Sequence, residues 1–300
     1  MGKYKNILII LFISAMGGSA GIFFKIALRE IPPDLFTFLR FSFAFLAFLP
    51  FLFSKTTPVT VDRKKLILIS FIATANIVFF IFGLQYTTAT ISGILYAVAP
   101  LMVGILSWKI TREQISLSEW LGISIGFLGA LAIIVAPKLG VVSTWNGSLF
   151  GNLIIASAVI SFSLYSVLSK KYQNLYSPMV LTKYFVFTTI VTQVLLMSFH
   201  FSPAVHLLGH ISLKVWIIII YAGVLDTALY YFLYQYVIKR ASPVLASMTF
   251  YLQPIFAIIA ARLILGEKIT PIFFFSTIAI FLGITLVFRD RYFSKFKVNS

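Results

Sequence analysis

Apolar runs of about 20 residues recur along the whole chain, separated by short polar stretches, and about 20 apolar residues is the length at which a helix crosses the hydrocarbon core of a bilayer. The runs are continuous and do not alternate in polarity, so they predict helices and not the strands of a barrel. Windows of that width place spans near residues 6–28, 35–53, 66–86, 91–110, 118–136, 149–169, 178–199, 214–236, 243–264 and 270–289. The expected fold is therefore an all-α membrane protein of ten transmembrane helices. Charged residues make up only 11% of the chain, against about 25% in soluble proteins, too few to solvate a surface of this size. A basic start followed by Ile7–Ile13 mimics a cleaved leader, but the apolar character continues to Leu28, as expected of a retained first span.

The chain repeats itself. Lys25, Pro33 and Thr37 correspond to Lys170, Pro178 and Thr182 at one spacing, and Asn76, Gln85 and Tyr86 to Asp226, Gln235 and Tyr236 at a second. Pro100, Glu113 and Gly129 correspond to Pro254, Glu267 and Gly283 at a third. Shared order over the whole length points to a duplicated unit, with residues 1–136 and 149–289 as repeats of five spans, 137–148 as the linker and 290–300 as a basic tail. Five is odd, so the second unit enters the bilayer from the opposite side and the repeats are inverted.

The net charge of +16 would suggest nucleic acid in a soluble protein, yet the basic residues lie mainly between the apolar runs. Summed over alternate connections, one side of the membrane collects sixteen Lys and Arg and the other six. The positive-inside rule then puts both termini in the cytoplasm, where the basic face would meet anionic lipids. The expected location is the cell (inner) membrane, and no nucleic-acid partner is expected. The chain has no Cys, which excludes disulfides, thiolate metal ligation and thiol catalysis. His200, His206 and His210 share one loop without acidic companions, so no metal is expected. No cofactor motif or phosphate-binding loop is present, and the spans contain no acid–base cluster of a hydrolytic centre.

Further resemblance lies in Ile31-Pro32-Pro33 with Leu39-Arg40-Phe41, in Leu84-Gln85-Tyr86-Thr87-Thr88-Ala89 and in Leu95-Tyr96-Ala97-Val98-Ala99-Pro100-Leu101. In the second half it lies in Ala241-Ser242-Pro243, Leu252-Gln253-Pro254-Ile255 and Leu265-Gly266-Glu267-Lys268-Ile269-Thr270. With these motifs the chain resembles the drug/metabolite transporter superfamily, specifically its ten-helix EamA-type exporters. The resemblance implies alternating access around a central cavity lined by spans one to four and six to nine, with spans five and ten peripheral. Two positions depart from the pattern: neutral Gln253 stands where Glu is frequent, and Asp226 stands where a small residue is usual.

Ionisable groups inside spans are costly and mark pathways. Asp226 lies near the middle of the eighth span, Arg40 about a turn and a half inside the second, and Lys183 at similar depth in the seventh. Asp226 can bind a cationic group, exchange a proton, or form a structural pair with Lys183. Arg40 offers paired donors to a carboxylate-bearing substrate, or anchors at the interface; Lys183 is open to the same two readings. Asn76 is the repeat mate of Asp226, and Tyr96, Tyr230 and Gln253 are expected on the cavity wall. Pro100 and Pro254 each remove a backbone hydrogen bond inside a span and predict kinks suited to moving helices. The small residues Met16-Gly17-Gly18-Ser19-Ala20-Gly21 form a groove read chiefly as close helix packing, with backbone contact to a ligand as the second reading, and Gly122, Gly126 and Gly129 form a packing face.

The function expected is export or exchange of small metabolites, with amino acids and related compounds as the leading class. A flippase for lipid headgroups or polyprenyl carriers is the alternative, and a membrane-embedded enzyme a more distant one.

Overall fold

The computed structural model describes residues 2–52, 62–112, 116–135, 147–198, 206–240 and 271–297, with residues 243–247, 249–250, 252–253, 256 and 263 between the last two stretches. The described residues with regular structure are helical: α1 Gly2–Ala27, α2 Pro33–Leu52, α3 Arg63–Tyr86, α4 Ala89–Tyr96, α5 Ala99–Thr111, α6 Leu117–Val135, α7 Leu149–Tyr172 and α8 Pro178–Ser198. After a single 3₁₀ turn at Leu208–His210 come α9 Leu213–Gly223, a π-helical segment Val224–Leu229, α10 Tyr230–Arg240, α11 Pro243–Ser247 and α12 Pro271–Lys297. Among the described residues seven helices are long and apolar enough to cross a membrane, and Trp120–Gly129 and Phe274–Gly283 are shorter apolar helices.

Side chains at the helix starts explain their positions. Asp62, Thr88, Ser148 and Ser212 each accept a hydrogen bond from the backbone N–H three residues on, capping α3, α4, α7 and α9. Capping by these residue types satisfies N–H groups that have no partner within the helix. The carboxyl of Asp62 is held below its ordinary range by the Lys65 ammonium, which lies 2.9 Å away. α2 and α8 start on Pro33 and Pro178, at a position where a missing N–H costs nothing.

Pro100 does not kink a continuous helix as the sequence predicts. The fourth span breaks at Ala97-Val98, and Pro100 sits in the first turn of α5, where its lack of an N–H is harmless. Ala97 and Val98 donate to Ile94 and Leu95 carbonyls in tight three-residue turns, so the backbone groups freed by the break are satisfied locally. Pro254 lies outside the described residues. The last helix continues to Lys297, past the end at 289 expected from hydropathy.

α6 and α12 form the most extensive pairing, followed by α3 with α7; α2 packs on α8 and on α9, and α1 on α9, α10 and α4. Glycines permit the closest approaches: a Cβ on Gly129 would lie 2.9 Å from the Ser276 carbonyl oxygen, and one on Gly283 would strike the backbone of Gly122 and Gly126. The packing face expected of the fifth span is thus used against α12. Polarity is inverted relative to a soluble protein. Phe127, Leu128, Phe274 and Phe275 face outward, while Arg40, Asn76, Gln193, Asp226 and Gln235 are buried. Such a surface suits hydrocarbon, which offers polar groups no partners.

Candidate functional site

A cavity lies among α1, α2, α3, α4, α7, the π segment, α10, Phe250 and Gln253. Its volume is about 80 Å³, room for several waters at about 10–15 Å³ each. Its wall includes Arg40, Asn76, Tyr96, Asp226, Tyr230 and Gln253, six of the seven binding candidates chosen from the sequence. Phe24, Phe80, Phe162 and Phe250 supply apolar surface between them.

Arg40 and Asp226 form one side of this wall. Arg40 Nη2 is 2.9 Å from Asp226 Oδ2, and both residues are buried. The Arg40 guanidinium is held by three further contacts: Nε donates to Thr227 Oγ1 at 2.5 Å, Nη2 approaches the Asp226 carbonyl at 3.4 Å, and the group lies over the Phe24 ring at 4.4 Å. Thr227 accepts from Arg40 while donating its own proton to the Ala222 carbonyl at 2.7 Å. That bond reaches back five residues, matching the wide turn of the π segment. π turns inside α-helices are frequent at functional sites, and here the turn carries both Asp226 and Thr227.

Close backbone approach brings the two halves of this pair together. A Cβ on Gly223 would lie 2.6 Å from the Arg40 carbonyl oxygen and 2.6 Å from Phe43 Cβ, so only a residue without a side chain lets α9 lie this near α2. The structural Asp226–Lys183 pair, one of the readings open to Asp226, does not form, because the partner of the carboxylate is Arg40. Depth along the helices permitted the Lys183 pairing, but direction around α8 did not favour it. Thr182, Phe185, Val186, Thr189 and Gln193 make the buried stripe of α8 at helical spacing, and half-buried Lys183 falls beside it and off the cavity wall.

Neutral hydrogen bonds organise the other side. Asn76 Nδ2 donates to the Tyr96 hydroxyl at 2.5 Å and to the Ala158 carbonyl at 2.9 Å, and Gln253 Nε2 donates to the Tyr230 hydroxyl at 3.0 Å. Gly17, Gly18 and Gly21 of α1 line the cavity too. A Cβ on Gly17 would run into the Gln253 amide and the Tyr230 ring, and one on Gly18 would meet the Gln253 carbonyl oxygen at 2.7 Å. This stretch therefore packs closely and also forms cavity wall, the two placements that its small residues allow.

An aromatic layer adjoins the cavity through Phe162, Tyr231 and Phe250, which also line it. There Phe162 and Phe250 stand 4.7 Å apart, Phe185 and Tyr231 4.8 Å, and Phe162 and Tyr234 5.2 Å. The Tyr234 hydroxyl is 3.0 Å from Ser166 Oγ. Thr227 and Phe24 carry no warning in the sequence, since Thr and Phe are common in spans of every role.

Known proteins share both sequence and shape with this chain. A model of the EamA-like transporter family matches residues 5–135 and again residues 149–289. The Bacillus subtilis (strain 168) protein named uncharacterized transporter YetK is 33% identical over 178 residues, covering 57% of this chain and 52% of that protein. The match thus spans about half of YetK. An uncharacterized transporter of Archaeoglobus fulgidus is 25% identical over 280 residues, covering 91% and 93%. A solved crystal structure superposes with a TM-score of 0.65 over 92% of this chain and 94% of that one, at 15% identity, a likeness of fold alone. With both halves matched in order, the chain belongs to the EamA-like transporter family.

Proposed function

We propose that this membrane transporter moves small polar or amphipathic metabolites, amino acids and related compounds foremost, by alternating access through the cavity between its two halves. One observation carries the reading: eight residues with polar side chains, Ser92 and Tyr231 among them, are drawn from both halves onto a single cavity wall. Arg40 receives a carboxylate, Asn76, Tyr96, Tyr230 and Gln253 supply neutral polar contacts, and the phenylalanine rings take an apolar body.

The proposed architecture is ten helices in two inverted repeats, 1–136 and 149–289, joined by 137–148 and followed by the tail 290–300. Support comes from contacts that map onto themselves when the halves are exchanged: α2 with α8, α6 with α12, and α3 with α7 against α9–α10 with α1. Two lysine hydrogen bonds behave alike. Lys25 Nζ donates to the Thr87 carbonyl at 2.5 Å and Lys170 Nζ to the Ile238 carbonyl at 3.0 Å, each joining the end of a repeat's first helix to the end of its third. In this reading the termini and the 173–177 connection are cytoplasmic, the cavity lies toward the outer face, and the aromatic layer closes the inner side. Basic residues on the cytoplasmic face meet anionic lipids.

The test is metabolite profiling of the medium with and without expression, followed by flux of the enriched compound into proteoliposomes. Flux above that of protein-free liposomes, lost in Arg40→Gln, is expected. Flux equal in the two would contradict the proposal.

A further inference from the structure

We infer that Asp226 is a built-in competitor for Arg40: the Asp226 carboxylate and a substrate carboxylate take the same guanidinium in turn, while Thr227 keeps that guanidinium in place during the exchange. The inference rests on the proposal that the cavity is the substrate site.

Four features of the geometry point this way. The ion pair is made through one nitrogen and one oxygen, Nη2 and Oδ2 at 2.9 Å, whereas a structural Arg–carboxylate pair commonly uses two parallel bonds. Arg40 has holds that do not depend on that carboxylate, namely Thr227 Oγ1, the Asp226 backbone oxygen and the Phe24 ring. When the carboxylate swings away, the guanidinium stays where it is. Both members line the cavity, so a substrate carboxylate in it would meet the two together. Finally, Asp226 and Thr227 sit on the π segment, whose wide turn directs two consecutive residues to one guanidinium.

The arrangement answers a physical difficulty of carrying anions through lipid. An arginine left without a counter-charge at this depth is strongly disfavoured, and a resident carboxylate removes that penalty whenever substrate is elsewhere. It also weakens binding, because apparent affinity falls with the fraction of time the binding group is available. Release is thereby built into the site: the returning Asp226 displaces the substrate carboxylate. Thr227 is a positioning residue in this scheme, acting on substrate through Arg40.

The experiment uses purified full-length protein and two probes that share an apolar ring suited to the aromatic lining, 3-phenylpropionate with only a carboxylate and 2-phenylethylamine with only an ammonium. Binding is read by calorimetry and ligand-induced thermal stabilisation. In Asp226→Asn, 3-phenylpropionate should bind about tenfold tighter than in the native protein if the guanidinium is available about one-tenth of the time. Arg40→Gln should abolish that binding. Unchanged or weaker binding in folded Asp226→Asn would overturn the inference. So would 2-phenylethylamine binding that is present in the native protein and lost in Asp226→Asn, which would make Asp226 a cation site. Should Asp226→Asn fail to fold, Thr227→Val serves: it should lower the melting temperature, because the buried Arg40 Nε–H loses its acceptor, and weaken 3-phenylpropionate binding severalfold in the protein that stays folded; unchanged binding there would overturn the inference. Failure of the underlying proposal looks different: neither probe would bind any folded variant, whereas binding that needs Arg40 and ignores Asp226 overturns the competitor role alone.

Discussion

Arg40 and Asp226, 186 residues apart in sequence and on opposite halves of the chain, meet at 2.9 Å on the wall of the central cavity. The contact joins the second span to the eighth and puts the only charge pair among the described membrane-spanning residues beside the polar groups of Asn76, Tyr96, Tyr230 and Gln253.

This partnership is testable by rescue. Asp226→Asn leaves a buried guanidinium without its counter-ion and should cost about 3 kcal/mol, the scale seen when one member of a buried pair is removed. The double variant Arg40→Gln with Asp226→Asn should recover much of that loss in a thermal melt, and Lys183→Met with Asp226→Asn should recover none. Recovery with Lys183→Met would show that the lysine, and not Arg40, balances Asp226.

Gly223 should be indispensable to the same contact. Gly223→Val places side-chain atoms against the Arg40 carbonyl and Phe43, so α2 and α9 must separate. A loss of about 2 kcal/mol from overpacking is expected, together with weakened binding of 3-phenylpropionate. Gly283→Val overpacks the α6–α12 contact instead. It should lower the melting temperature comparably and leave ligand affinity as it was.

Gly21 separates packing from cavity shape. A Cβ there meets only Ser92 Oγ at 3.8 Å and Ala89 Cβ at 4.0 Å, ordinary contacts, so Gly21→Ala should be as stable as the native protein. Gly18→Ala should not be, because its Cβ confronts a backbone carbonyl. Equal melting temperatures for the two variants would contradict the packing of α1 against Gln253 and Phe256.

The absence of Cys makes topology directly measurable. Single cysteines at exposed Lys171 and Gly209 should react with a membrane-impermeant maleimide from opposite sides, Lys171→Cys only after the cytoplasmic face is exposed. Labelling of Lys171→Cys from outside and Gly209→Cys from the cytoplasmic side would reverse the assignment of the connections, and labelling of both from one side would contradict a single crossing between them.

Much of this was legible in the sequence because hydrocarbon is an exacting solvent. Asn76, Asp226 and Arg40 stand out in apolar runs, and polar groups there must be brought together, so naming them came close to naming a cavity. What was hidden depends on rotation about helix axes and on backbone detail. Lys183 matched Asp226 in depth but lies beside the buried stripe of α8, and no spacing rule distinguishes that from a cavity-facing residue. The π segment adds one residue to a turn without a Gly or Pro to mark it, since Val224-Leu225-Asp226-Thr227-Ala228-Leu229 reads as ordinary helix. Pro100 signalled an irregularity in the fourth span, but only the structure puts the break before it, at Ala97-Val98.

The central claim, that substrate passes through this cavity, is tested most directly by blocking it. Ser92 is buried on the cavity wall and its hydroxyl is bonded only to the Ala89 carbonyl of its own helix, so Ser92→Cys should fold and transport. Methanethiosulfonate ethyltrimethylammonium added to proteoliposomes should then modify this single thiol, and flux of the metabolite identified by profiling should stop, with excess metabolite slowing the modification. Complete modification of Ser92→Cys with undiminished flux would place the pathway elsewhere.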